Sequence, residues 1–231
     1  MSKSLLQICQ AALGRAGLGK QEQFFGASDE TMAHLANESI HYLKRAFPWQ
    51  IMRKTGTISM TSATAYDLPT DILYIIPDTM NADGQMRFIR FPTDDKTWWY
   101  FKANVATGIQ YKVRIVAGSL EVLNPDSGVD LIFEYMTDNV VAGSDEGSGS
   151  STSQAEFRRD TDTTILDDEL LIKDLKWRYK AEKGIEGGEK DKMMFNDYLK
   201  ALKAQEQGSQ TLYFGETPDL DTGEPYTPLY V

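Results

Sequence analysis

The sequence predicts an α+β fold, and three observations lead there. Apolar residues recur at helical spacing near both ends of the chain. Between about residues 55 and 136 the apolar period drops to two. No helix-length crossover separates those alternating runs, so the strands should be antiparallel. Helical pairs at both chain ends with strands between them most simply make a helical bundle carrying an inserted antiparallel β-rich subdomain. An extended C-terminal arm follows. The expected divisions are 1–54 and 157–207 for the helices of the bundle, 55–141 for the β insertion, 142–156 for a flexible Gly/Ser loop and 208–231 for the arm.

The elements follow in order. Leu5, Ile8, Cys9, Ala12, Leu13 and Ala16 mark one face of a helix over 4–17, which Gly17 and Gly19 stop. Ser28 is suited to cap a second helix running to about Phe47, with Met32, Leu35, Ala36, Ile40 and Leu43 on its inner face. Pro48 ends it. Ile109, Tyr111, Val113 and Ile115 alternate with polar residues, as do Val129, Leu131, Phe133 and Tyr135, and Asn124 to Gly128 reads as the turn between them. Shorter strands are expected at 56–60, 86–91, 97–101 and 119–123. The stretch GSDEGSGSSTSQ from Gly143 to Gln154 reads as a flexible loop. Asp167 should cap a third helix to about Lys183, and Gly184, Gly187 and Gly188 should break it. Met194, Phe195, Tyr198, Leu199 and Leu202 give the spacing of a fourth. Trp177 and Tyr198 are expected to pack the C-terminal helices onto the N-terminal pair.

Composition narrows function. The 231 residues carry 34 Asp and Glu against 24 Lys and Arg, a formal net charge of -10. Such a surface repels phosphates, which argues against a charge-driven grip on nucleic acid. A single cysteine, Cys9, rules out an intrachain disulfide framework, so a reducing compartment is expected, and nothing reads as a signal peptide or membrane span.

Chemistry-bearing patterns fare poorly. His34 and His41 stand seven apart on one helix, whereas zinc binding from a helix favours a spacing of four. Asp160, Asp162, Thr164, Asp167 and Asp168 resemble a calcium loop. However, Ile165 and Leu171 stand where that loop needs Gly and Glu, and acids before a helix start suit its dipole anyway. Trp98-Trp99-Tyr100 on a strand would send alternate rings into the core, and would otherwise make a sugar-stacking platform. Catalytic, metal and cofactor residues are therefore expected to be none. The competing classes are a carbohydrate- or receptor-binding module using those three rings, and a hydrolase using Asp160 or Asp162.

Several segments in fixed order resemble a known family. They are Phe47-Pro48-Trp49 closing the second helix, Tyr66-Asp67-Leu68-Pro69-Thr70-Asp71-Ile72-Leu73 after a first strand, and Phe157-Arg158-Arg159-Asp160. Leu170-Leu171-Ile172, then Leu175-Lys176-Trp177-Arg178-Tyr179-Lys180, and Asp197-Tyr198-Leu199 on a terminal helix complete the series. Over about residues 1–205 the chain resembles the head-to-tail adaptors of short-tailed bacteriophages, a group including the tail tubular protein A type. The resemblance implies a structural virion protein with no enzymatic activity, made in the host cytoplasm and placed in the neck between head and tail. Identical subunits, commonly twelve, would form a ring between the portal protein and the tail nozzle or tail tube protein. Double-stranded DNA would pass through the lumen without specific binding, and no membrane is involved.

Residues 208–231 lie outside that pattern. Pro218, Pro225 and Pro228 forbid a continuous helix there, and the segment lacks strand alternation. Leu212, Tyr213, Phe214, Tyr226, Leu229, Tyr230 and Val231 make it too apolar for a solubilising tail. They suit pockets on the portal or a neighbouring subunit.

Overall fold

The computed structural model describes residues 2–19, 21–26, 30–83, 89, 94–103, 111–144 and 151–208. The docking residues from Leu212 to Val231, the Ser28 cap and most of the strand expected at 86–91 lie outside the described residues.

The fold is mixed α+β with antiparallel sheets. Two helices open it, α1 (Leu5–Arg15) and α2 (Thr31–Ala46), followed by a 3-10 turn at Gln50–Met52. Strands β1 (Arg53–Ser59), β2 (Ala65–Asp67), β3 (Ile72–Ile75) and β4 (Asn81–Ala82) come next, then a third helix, α3 (Asp95–Ala103). Six more strands follow: β5 (Lys112–Val116), β6 (Ser119–Leu123), β7 (Asp130–Thr137), β8 (Val141–Ser144), β9 (Ser151–Gln154) and β10 (Thr163–Thr164). Helices α4 (Asp168–Glu182) and α5 (Gly188–Gly208) close the described chain.

Local chemistry explains most of these limits. Ser4 and Gln7 form a reciprocal capping box at the start of α1, satisfying two otherwise orphaned N–H groups. Asp167 caps α4 through Leu170 N, while Gly184 and Gly187 take positive φ in the turn between α4 and α5. Glu30 precedes α2 without a side-chain cap bond. Ala117 and Gly118, both at positive φ, form the two-residue turn joining β5 to β6.

Three sequence expectations are corrected here. Residues 97–101 belong to helix α3; Asp94 Oδ1 accepts from Thr97 N at 2.8 Å, and that N-terminal cap overrides the strand preference of the aromatic run. The Gly/Ser stretch is not simply a loop. Its described ends pair as a β8–β9 hairpin, in which Gly143 lies opposite Thr152 and a Cβ there would meet Thr152 Oγ1 at 3.0 Å. Finally, the turn Asn124 to Gly128 does not join two paired strands: β6 pairs with β2 and β5, whereas β7 pairs with β1, β3 and β4. The chain changes sheet at that turn.

Two apolar clusters organise the molecule. One gathers inward faces of α1, α2, α4 and α5, including Leu5, Ile40, Leu43, Leu171, Leu175 and Phe195. The other gathers side chains from the four-stranded sheet of β1, β7, β3 and β4 and the three-stranded sheet of β2, β6 and β5, among them Ile58, Val113, Leu120, Val122, Leu131 and Phe133. Strand β7 serves both. Leu131, Phe133 and Tyr135 point into the sheet cluster, and Met136 into the helical one. Gly56 faces Phe133 across the β1–β7 pair, so closely that an added Cβ would stand 2.7 Å from the ring. The absence of a side chain at Gly56 is what lets Phe133 fill the centre of that cluster.

Candidate functional site

The acidic stretch Asp160 to Asp168 ties the N-terminal segment to the chain that leads into α4. Asp160 accepts from Phe24 N at 2.9 Å and Phe25 N at 3.2 Å, and its own carbonyl accepts from Leu6 N at 2.9 Å. Asp162 is buried, and its Oδ2 accepts from Gln154 Nε2 at 2.7 Å, Arg158 N at 2.7 Å and Arg159 N at 2.9 Å. Its carbonyl receives Leu5 N at 2.8 Å, Asp168 Oδ2 receives Lys3 N at 3.0 Å, and Ser4 bridges to Thr163. These carboxylates hold backbone amides that the turns and the start of α1 would otherwise leave bare. Among the described residues no group of His, Cys, Asp and Glu is arranged to hold a metal ion. Beside the clamp lies a cleft of about 510 Å³, bordered by Arg158, Arg159, Thr152 and Gln154.

Trp177 and Tyr198, the two packing residues singled out from sequence, are half-buried on α4 and α5 against the helical cluster. The Trp177 indole N–H donates to Asp174 at 2.7 Å, and its ring sits 6.4 Å from Phe195. Fully buried Asp174 also receives Arg178 Nε at 2.8 Å, and Arg178 reaches Glu38 of α2 at 3.0 Å, so the Arg178 guanidinium, held by Asp174, links α4 to α2. Tyr198 donates to Asp167 at 3.3 Å; burial, then the adjacent Asp167 charge, pushes its phenol pKa up. Met194, expected on the inner face of α5, is exposed, as is Met193.

Sequence reading missed the polar seam between the two clusters. Lys44 is buried on α2 and meets Asp138 at 2.7 Å, outside hydrogen-bond angles, so Coulomb attraction rather than a directed bond holds it. Asp138 N donates to Asp71 O at 2.6 Å, and the Asp71 carboxylate accepts from Lys54 Nζ at 2.7 Å, Thr137 Oγ1 at 2.9 Å and Tyr135 OH at 3.0 Å. Burial alone would raise the pKa of Asp71, but these three donors outweigh it and hold it below the usual carboxylate range. Tyr135 moves the opposite way: burial, then the bond to Asp71, pushes its phenol up to about 12. A lysine amid polar neighbours on a helix carries no sign that it will be buried. Only the pairing with a residue 94 positions later reveals it.

On α3 Trp98, Trp99 and Tyr100, expected to send alternate rings of a strand into the core, instead lie on a helix, and the three do not share one face as the alternative sugar-stacking platform would need. Helical geometry turns Trp98 inward, where the Arg114 guanidinium lies 4.4 Å from its ring centre. Trp99 and Tyr100 face solvent, 58% and 64% exposed. Arg114 is fixed in turn by Glu121 at 2.7 Å and Asp95 at 3.2 Å.

The remaining candidates are Cys9 and the two histidines. Cys9 is fully buried on α1, and desolvation, then the nearby Asp160 charge, raises its thiol pKa. His34 is exposed, and His41 lies 3.2 Å from Glu156. No described helix is long and apolar enough to cross a membrane. Compared with known proteins, the chain matched no protein-family model and no curated protein.

Proposed function

We propose that this chain is a structural subunit of the head-to-tail adaptor ring of a short-tailed phage, seated between portal and tail nozzle. One observation carries the reading. Helix α4 packs against α1, α2 and α5 around one apolar cluster, and β7 leads the sheets away from it. A bundle of N- and C-terminal helices with a β insertion is the layout the apolar periodicity led us to expect, and the segments that resemble the adaptor family fall along it in the same helix, strand, helix order.

Charge supports the same reading. With a net charge of -10, the subunit offers passing DNA little counterion-releasing grip, which suits a channel that DNA must traverse. Like-charged subunits repel in solution, so the ring forms on a template rather than spontaneously. Residues 208–231 serve as the docking arm, with Leu212, Tyr213, Phe214, Tyr226, Leu229, Tyr230 and Val231 as its contact residues. Sedimentation at physiological salt tests the template requirement: the free chain should run as a monomer, and stable rings formed without portal would overturn it.

A further inference from the structure

We infer that the cleft between the β8–β9 hairpin and Arg158-Arg159 is a binding site for a phosphate group, carried by free phosphate or a small phosphate monoester. Its volume of about 510 Å³ lies within the range of small-molecule sites. The walls are polar: Thr152 and Gln154 on β9, Asn139 just before β8, and the two arginines. The backbone presenting those arginines is held from both sides. Phe157 is buried, its N donates to Asn37 Oδ1 at 2.8 Å, and Asn37 Nδ2 donates back to its carbonyl at 3.1 Å. Arg158 N and Arg159 N then donate to Asp162 Oδ2 at 2.7 and 2.9 Å. The main chain is fixed while both arginines stay exposed. Among the described residues, Arg15, Arg53, Arg114 and Arg178 are each held by a carboxylate, whereas the Arg158 guanidinium has none.

The acids of this segment are turned to other tasks. The cleft border carries two guanidiniums and one carboxylate, that of buried Asp162, whose Oδ2 already accepts from three N–H donors. Glu156 lies against His41, and Asp160 accepts from Phe24 N and Phe25 N. Gly143 keeps the cleft open. A Cβ there would meet Thr152 Oγ1 at 3.0 Å and Gln154 Oε1 at 3.1 Å, so these two side chains stand over the Gly143 backbone. Geometry selects the ligand. One guanidinium fork satisfies both oxygens of a carboxylate, whereas a tetrahedral phosphate offers further oxygens to a second guanidinium and to the Thr152 hydroxyl. The described walls hold no aromatic ring on which a base would stack, and a net charge of -10 repels a polyanion. A small phosphate therefore fits where a nucleic-acid strand does not.

This inference goes beyond the adaptor reading and does not depend on it. The experiment titrates inorganic phosphate into the isotope-labelled full-length protein at constant ionic strength and follows the backbone amides by nuclear magnetic resonance. Saturable shifts should centre on Gly143, Thr152, Gln154, Arg158 and Arg159. Arg158→Gln should weaken binding by roughly tenfold, the loss expected on removing a charge-assisted contact, and Arg158→Lys should recover part of it. Arg158 is exposed, so both variants should keep the native circular dichroism spectrum. Lys190→Gln, which removes an exposed charge from α5, should change nothing. Acetate and a short DNA duplex should leave the same amides in place. The proposal is overturned by shifts that do not saturate, by equal weakening in Lys190→Gln, or by acetate or duplex binding there as tightly as phosphate. Because portal is absent, such a failure would leave the adaptor reading standing.

Discussion

Replacing Asp162 by alanine probes the local turn whose backbone carbonyl receives Leu5 N of α1. One oxygen of this buried carboxylate accepts three bonds, from Gln154 Nε2, Arg158 N and Arg159 N, at 2.7, 2.7 and 2.9 Å. Removing it takes this acceptor from two backbone amides, each loss costing about 1–3 kcal/mol if water cannot replace the oxygen. The neighbouring cleft of about 510 Å³ admits water to one side, which places the expected total at about 2–4 kcal/mol. That is a large share of the roughly 5–15 kcal/mol by which domains are stable. Asp162→Asn keeps an oxygen in place and loses mainly the charge assistance, so it should cost about 1 kcal/mol. Urea denaturation followed by far-ultraviolet circular dichroism measures both variants, with an unchanged denaturant slope showing that only stability has moved. If Asp162→Ala costs less than about 0.5 kcal/mol, the carboxylate does not hold that turn and the argument fails.

Gly56→Ala should destabilise by about 1–3 kcal/mol, since its Cβ would stand 2.7 Å from the Phe133 ring; adding Phe133→Leu should recover part of the loss in the same denaturation assay. The Tyr135 hydroxyl has a folded pKa of about 12 against an ordinary 10.0, so its contribution is whole below pH 10 and is lost as pH rises through 12. Tyr135→Phe should therefore cost about 1 kcal/mol at neutral pH and remove that part of the alkaline decline. Asp71 has a lowered folded pKa, so its contribution is present above the ordinary value of 3.8 and is lost as pH falls through the lower one; Asp71→Asn should flatten the acid limb. Cys9, buried and with a raised thiol pKa, should react with a disulfide reagent only as fast as the protein opens, and immediate native-state labelling would contradict its burial.

What could be read from the sequence was local chemistry. The apolar spacing of Leu5 to Leu13 and the Asp167 cap locate α1 and α4, and the alternation Leu131, Phe133, Tyr135 locates β7. What could not be read was of two kinds. In α3, ring-rich residues with strand preference outvoted the one visible contrary signal, Asp94 three residues before Thr97. In β8 and β9, Gly, Ser and Thr supply no apolar alternation, so the pairing rests on backbone bonds that composition does not encode. The candidate site divides the same way. The acids at 160–168 are visible in sequence, but their partners Phe24, Phe25, Leu5 and Leu6 lie more than 130 residues earlier. The assignment of β6 and β7 to different sheets is likewise a long-range outcome, since strands on either side of a strong turn usually pair.

The central claim, a subunit that rings up beneath a portal, is tested most directly by electron microscopy of the full-length protein mixed with its cognate portal ring. Class averages should show added density on the tail-facing end of the portal, with the portal's own rotational symmetry and a continuous central channel. Bare portals beside free monomer, at protein concentrations well above those of a virion assembly reaction, would contradict the claim.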